Sequence, residues 1–335
     1  MATSADTNVQ FGTGRPRLGR WKKLGVAVLL LVIAFVAYAS LRPLTVVRAA
    51  GRFALWCGGI HGHYAQVGPY RVHYYDGGEG PPLVFVHGLG AESLNWVQAM
   101  LDLRGQFHVY AIDLLGHGAT QKPDIAYSIE QQSEMLRQFL VTQNIKSADL
   151  VGVSMGGWVS LKLASDHPEV VNRLVVADSA GLKFQTSINV NSFLPATPEE
   201  FAAFITMLTP RHYYVPYPLQ RDFLHQVAQN AWITRRIFDS FLTYQNVLDG
   251  KLEGIKAPVL VIWGKEENLI PMSVGEQMKQ QMPNASLLVC TDSGHLAIYE
   301  CWNKLEPDVA SFLSSPQPPA PYVREVATGK GAAAR

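Results

Sequence analysis

The run Ala148–Gly157, ADLVGVSMGG, constrains this chain more than any other stretch. Leu150, Val151 and Val153 form an apolar lead into Gly152-Val153-Ser154-Met155-Gly156, the pattern G-x-S-x-G. An unbroken series of apolar, largely β-branched residues suits a strand buried on both faces. A serine at the tip of a sharp strand-to-helix turn, a nucleophile elbow, sits in a strained backbone conformation with its hydroxyl exposed. Gly152 and Gly156 bring no Cβ, so the following helix can fold back onto the strand. Such a short pattern also arises as a bland glycine-rich turn. The two readings separate on whether a base, an acid and an oxyanion donor stand where the turn needs them.

The chain has enough apolar material to hold that turn in a core. Its 335 residues are 48% hydrophobic and 16% charged, which suits one large α/β domain with an insertion better than two equal domains. A net charge of +1 creates no long-range field for nucleic acid, and the globular part contains no basic run. Nucleic acid is not an expected partner. Cys57, Cys290 and Cys301 are too few for a disulfide framework. Cys290 and Cys301 read as free, buried thiols, with pairing open to them in an oxidising compartment. Apart from His61-Gly62-His63 the histidines show no paired ligand spacing, so neither a metal nor a cofactor is implied.

Residues 1–23 are polar, with Gly, Pro and Ser, and are expected to be disordered. Leu24–Leu41 then runs 18 residues without a charge. At helical rise that covers roughly 27 Å, about one bilayer core, so a single-pass transmembrane anchor is expected at 24–41. A signal peptide is the competing reading, because Ala37-Tyr38-Ala39 resembles a signal-peptidase site. The apolar run is longer than a usual signal core, which favours the anchor. Arg15, Arg17, Arg20, Lys22 and Lys23 precede the span, against Arg42, Arg48 and Arg52 after it. This bias puts the N-terminus in the cytoplasm and the globular part on the periplasmic or exoplasmic side.

Residues 42–69 read as a juxtamembrane linker, with Trp56 and Tyr64 suited to the membrane interface. From Tyr70 onward the pattern is globular: YRVHYYD alternates as a strand and GGEGPP turns the chain. Leu83–Val86 is a buried strand ending in His87-Gly88-Leu89-Gly90, and Phe107–Asp113 is another, followed by the tight loop of Leu114–Gly118. Ser128-Ile129-Glu130-Gln131 is a capping box that opens a helix to about Gln143. Then come the elbow strand, a helix Met155–Ser165 and a strand Val171–Asp178. Alternating strands and helices with short links make a mostly parallel, doubly wound sheet.

Residues 181–250 break that rhythm with amphipathic segments rich in Phe, Tyr and Trp, and Thr197-Pro198-Glu199-Glu200 is a capped helix start. A helical cap inserted between two strands is expected there. Its aromatics are divided between packing and an apolar substrate wall. The sheet resumes in Ala257–Trp263 and ends with Ala285–Val289, followed beyond His295 by an amphipathic helix to about Leu313, so the core comprises residues 70–180 and 251–315. Residues 316–335, rich in Pro, Ala and Gly, are expected to be a disordered tail.

Ser154 is followed by an acid at the end of a later strand and then, after the next strand, by His295, which is the order Ser…Asp/Glu…His. Attack by a hydroxyl at neutral pH needs a base to take its proton, and imidazole suits that task. His295 is the candidate base. A carboxylate must then hold one imidazole tautomer, and Glu267 after the Ala257–Trp263 strand is the first candidate, with Asp178 as runner-up and Glu266 behind it. The backbone N–H groups of Leu89 and Met155 are the candidate oxyanion donors. Asp292 reads as a turn former.

With HGLG, DLLGHG, GVSMGG, WGKEENLIP and DSGH in place, the stretch Tyr70–Leu313 resembles the α/β-hydrolase superfamily. The cap onset, AGL through PATPEE, together with the N-terminal span, is similar to the membrane-anchored monoacylglycerol lipases of the α/β-hydrolase-domain group. The resemblance implies an α/β-hydrolase fold, with the nucleophile, acid and base on Ser154, Glu267 and His295. Glu267 departs from the Asp usual among such proteins. The activity implied is cleavage of carboxylic esters of apolar or lipid substrates through an acyl-enzyme, next to a lipid bilayer. Other uses of the same residues are C–C bond hydrolysis, cofactor-free perhydrolysis, or a hydrolase-like small-molecule receptor. Dehalogenases and epoxide hydrolases need a carboxylate at the elbow, and Ser154 excludes them.

Overall fold

The computed structural model describes residues 19–327 apart from 244 and 318. Residues 1–18 and 328–335, parts of the two stretches expected to be disordered, lie outside the described residues. The first helix, α1 (Arg20–Leu41), is the candidate membrane span. Its Trp21–Leu41 segment has a mean hydropathy of 2.7, and none of it is buried. Proline cannot continue a helix through its own missing N–H, and the chain breaks at Arg42 and restarts as α2 (Pro43–Cys57).

Next come the antiparallel hairpin β1 (His61–Val67) and β2 (Tyr70–Gly77), then β3 (Pro82–Val86), α3 (Val97–Leu103) and β4 (His108–Ile112). The chain continues through α4 (Ile129–Thr142), β5 (Ala148–Val153), α5 (Met155–Asp166) and β6 (Val171–Ala177). The cap follows, carrying α6 (Pro198–Leu208) and α7 (Tyr217–Leu242). The last part holds β7 (Val259–Gly264), α8 (Met272–Gln281), β8 (Ala285–Cys290), α9 (Ala297–Glu300), α10 (Trp302–Ser314) and β9 (Val323–Val326).

The strands form one sheet in the order β1-β2-β4-β3-β5-β6-β7-β8-β9, antiparallel at β1-β2-β4 and parallel from β4 onward. Successive side chains of a strand point to opposite faces. Accordingly Val84, Leu150, Val176 and Val261 face α4, α5 and α8, whereas Phe85, Val151, Val175 and Ile262 face α3 and α10. Both layers are fully buried, which is why these strands read as continuous apolar runs.

Helix starts follow their sequence signals. Ser128 Oγ accepts from Gln131 N (3.2 Å) while Gln131 Oε1 accepts from Ser128 N (3.1 Å). Thr197 Oγ1 accepts from Glu200 N at 3.2 Å.

Three stretches differ from expectation. Residues 42–69 are not a bare linker: they contain α2, whose Leu55 is buried among Ile60, Phe85 and Met100, and β1, which extends the sheet by pairing with β2. The tail expected at 316–335 supplies β9, paired in parallel with β8 and fixed by a Lys265–Glu325 ion pair (2.7 Å). The single helix expected after His295 breaks at Cys301 into α9 and α10. In the first two cases the hydrogen-bond partner lies elsewhere in the chain, and local composition carries no sign of it.

Cap and α1 are tied together. Asp222 on α7 accepts from Leu44 N (3.1 Å), in the first turn of α2, and from Arg42 (3.3 Å). Arg221 donates to the carbonyls of Ser40 (3.3 Å) and Leu41 (3.2 Å), in the last turn of α1. Helix ends leave free N–H and C=O groups, and α7 satisfies those on both sides of the bend.

Asp149 on β5 is buried, and its Oδ1 has no hydrogen-bond partner among the described residues. Burial pushes its carboxyl up to about 6, against the smaller opposing pull of Arg173. The folded chain therefore holds that proton more tightly than the unfolded one. Stability falls as pH rises from the usual carboxylate range to about 6, and the penalty is complete above it. Asp149→Asn is expected to raise stability at pH 7.5 by roughly 1–3 kcal/mol, with the gain vanishing near pH 4, as read by denaturant unfolding at both pH values.

Candidate active site

Ser154 adopts φ 54° and ψ −119° between β5 and α5. A positive φ costs a β-carbon-bearing residue of order 1–3 kcal/mol, so the surroundings must enforce it. Ser154 N donates to Ala177 O (2.9 Å), and Ser154 O accepts from Trp158 N (3.1 Å) and Ala180 N (3.3 Å). At Gly156 a Cβ would lie 2.2 Å from Val86 O and 2.4 Å from His87 O, both fixed backbone. Glycine there is a requirement of close approach. The helix begins at Met155, so the free N–H groups of its first turn adjoin the serine.

His295 follows β8 and Glu267 follows β7. The structure joins them: His295 Nδ1 and Glu267 Oε2 are 2.6 Å apart, with side chains only 6% and 0% exposed. The second oxygen of Glu267 accepts from Leu269 N (2.6 Å) and Ile270 N (3.2 Å). One oxygen thus holds the carboxylate on its own loop while the other faces the imidazole. With Nδ1 donating to the carboxylate, Nε2 is the free, basic nitrogen. The glutamate's longer side chain is accommodated because its carboxylate folds back onto the N–H groups two and three residues ahead.

Asp178 is placed differently. It follows β6 at φ 43° and its two oxygens accept from Gly264 N (2.8 Å) and Ala297 N (3.3 Å). Burial, then the neighbouring Glu267 charge, pushes its carboxyl well above the usual range. The side chain bonded to His295 is that of Glu267. Glu266 offers its backbone instead, donating N–H to Ser293 O at 3.0 Å.

Ser154, Leu89 and His295 line a single cavity of about 1560 Å³. Phe193, Phe204, Leu208 and Phe223 of the cap cover it, and it reaches Tyr38 and Arg42 at the end of α1. Some cap aromatics line the cavity and others pack within the cap. Phe201 is buried and packs edge-on against Phe223 (5.3 Å between centroids), while Tyr214 stands fully in the open.

Beneath the site, residues of the loop after β4 and of the loop after β3 brace one another. His87 Nε2 accepts from Leu114 N (3.0 Å), which leaves Nδ1 to donate to Gly88 O (2.7 Å). This pins the loop bearing Leu89, whose Gly88 approaches so closely that a Cβ would stand 3.2 Å from Ser154 Cβ. Burial pushes the His87 imidazole down, and burial likewise takes His117, its ring 5.0 Å away, to about 3. Both are neutral at physiological pH. Asp113 accepts from His73 (2.8 Å), Ser93 N (2.7 Å) and Ala119 N (2.9 Å). Burial alone would raise this carboxyl, but those hydrogen bonds, that of His73 foremost, outweigh it and bring it to about 2.

A mostly parallel sheet with a serine elbow after β5, a histidine after the eighth strand and a helical cap defines a class of hydrolase architecture. A family model described as the alpha/beta hydrolase family matches residues 83–305, and the chain belongs to that family. Monoacylglycerol lipase ABHD6 of Homo sapiens is 24% identical over 314 residues, covering 87% of this chain and 93% of the relative. A 2-hydroxy-6-oxo-6-(2'-aminophenyl)hexa-2,4-dienoic acid hydrolase of Metapseudomonas resinovorans is 27% identical over 269 residues, covering 75% of this chain and 90% of that one. Among solved structures, a bacterial membrane phospholipase A described as a virulence factor superposes with a TM-score of 0.72 at 27% identity, over 84% of this chain and 94% of its own.

Asp178→Ala would strip two backbone N–H groups of their acceptor. The expected cost is about 2–5 kcal/mol of stability, read by thermal or denaturant unfolding of the full chain.

Proposed function

We propose that this chain is a membrane-anchored serine hydrolase that cleaves carboxylic esters of lipids, monoacylglycerols or short-to-medium acyl esters, through an acyl-enzyme. The observation that carries this reading is the buried 2.6 Å contact of His295 Nδ1 with Glu267, made beside the cavity that Ser154 and His295 share.

In that reading His295 Nε2 takes the Ser154 proton as Oγ attacks the ester carbonyl carbon. The carbonyl oxygen becomes an anion and accepts N–H donation from Leu89 and Met155. Collapse breaks the ester C–O bond. The leaving alcohol takes the proton from His295, and Ser154 keeps the acyl group. Water then attacks the acyl carbon, giving its proton to His295, and the free acid leaves as Oγ recovers it. Glu267 keeps Nδ1 protonated throughout and stabilises the imidazolium that forms in each half.

The lipid character of the substrate is supported by the cap's phenylalanines over the cavity and by the cavity's reach to the end of α1. A lipase and a membrane phospholipase among its relatives agree with it. Retention of α1 as an anchor is supported by the bonds that Arg221 makes to its last turn. The excess of Lys and Arg before α1 favours a cytoplasmic N-terminus with the catalytic part on the periplasmic or exoplasmic face.

Labelling membrane fractions with a fluorophosphonate should give a full-length band that Ser154→Ala abolishes along with ester turnover. A shorter soluble band would make α1 a signal peptide, and turnover surviving in Ser154→Ala would overturn the mechanism. Glu267→Gln is expected to lower kcat on glycerol monoesters by about 10³–10⁴-fold, because the wrong imidazole tautomer is favoured, with the fold intact by circular dichroism.

A further inference from the structure

Glu300 ends α9 five residues beyond His295, and its side chain is only 5% exposed. Ser293 Oγ, on the histidine loop, donates to it. Its other partners come from the segment between α6 and α7. Thr209 Oγ1 donates at 2.6 Å, the Tyr213 hydroxyl at 3.0 Å, and the Arg211 guanidinium lies 3.6 Å away. Arg211 is itself braced: its backbone N–H donates to Thr209 Oγ1 (3.1 Å) and its guanidinium to Asp292 O (3.4 Å). Burial and then the Glu300 charge push the Tyr213 phenol up, which keeps it the donor.

A buried carboxylate is costly unless hydrogen bonds surround it, and three of these partners exist only when the cap is seated. The seat lies directly beside the candidate base. A Cβ on Gly294 would stand 3.0 Å from Leu208 O and 3.2 Å from Pro210 Cδ, so the cap touches the residue that precedes His295. Just ahead of Thr209, Phe204, Ile205 and Leu208 of α6 form part of the cavity wall. Glu300 does not belong to the cavity lining.

We propose that Glu300 is a positioning residue: it seats the α6–α7 segment on the histidine loop and so fixes the wall of Phe204, Ile205 and Leu208 against which a long acyl chain lies. The inference rests on the ester-hydrolase reading above. Its mark is selectivity between acyl lengths. A short acyl group reaches Ser154 without leaning on that wall, whereas a long one must be held by it.

The test is steady-state kinetics of the full chain in detergent micelles on butyryl and oleoyl monoacylglycerol. Glu300→Ala is expected to raise KM for the oleoyl ester about tenfold, while kcat/KM and the pH profile for the butyryl ester stay within about twofold. Glu300→Gln, which keeps one acceptor oxygen, should recover part of the loss. The double substitution Thr209→Val with Tyr213→Phe removes both hydroxyl donors on the cap side, leaving only the longer Arg211 contact there, and leaves α9 untouched. It should reproduce the oleoyl defect even if Glu300→Ala fails to fold. Equal losses on both esters with a displaced pH profile would place Glu300 in the chemistry of His295 and overturn the proposal, as would unchanged KM in the double variant. A wild-type chain that turns over neither ester overturns the ester reading itself, and is told apart because it appears before any substitution is made.

Discussion

One buried carboxyl sets the relative positions of the parts of the site. Asp178 leaves β6 in a left-handed conformation, and the residue before it accepts the N–H of Ser154. Its own backbone N–H donates to Ile262 O (2.9 Å), and its two side-chain oxygens receive Gly264 N and Ala297 N. The loop that carries Glu267 and the turn that carries His295 therefore hang on one residue, and the elbow hangs on the carbonyl of its neighbour Ala177. The bonds link the ends of β5, β6 and β7 with the turn after β8, which puts the serine, the acid and the base at the same edge of the sheet. Gly264 permits the last step, since a Cβ there would fall 2.1 Å from Gly294 O. The histidine loop and the acid loop lie in direct backbone contact.

The cap depends on a second set of polar contacts, at its two ends. At one end, Arg221 and Asp222 hold the bend between α1 and α2. Near the site, the α6–α7 segment meets Glu300 and Gly294. Between these ends the cap is held by aromatic contacts such as Phe193 with Phe238 (5.0 Å) and Phe241 with Trp158 (5.2 Å). Such contacts bury much area but specify position weakly, because aromatic pairs accept a range of offsets. The charged contacts supply the register.

What the sequence shows of this molecule is what local chemistry can encode. The elbow glycines, the apolar strands and the Ser128 and Thr197 caps are visible because each one's cause lies within a few residues. The pairing of Glu267 with His295 is visible because both stand at strand ends in a recurring order. Asp178 is different: from its place after β6 it reads as an alternative acid, and only the folded chain shows both its oxygens committed to backbone N–H groups. Glu300 and Asp222 give no local signal, since their partners lie about ninety and a hundred and eighty residues away. The helix α2 and the strands β1 and β9 were hidden for the same reason.

The two outermost strands share a property that follows from where they lie. A sheet ends in a row of unpaired N–H and C=O groups, which is a template for another chain. At one border β1 presents His61, His63 and Gln66, polar and exposed, so the template is a poor match for an apolar strand. At the other, β9 carries Arg324 and Glu325, with Arg324 held by Asp308. Were residues 319–327 missing, β8, an apolar strand buried along its whole length, would become the border. The short Val323–Val326 segment thus covers that edge, so that a charged strand and not an apolar one forms the border of the sheet.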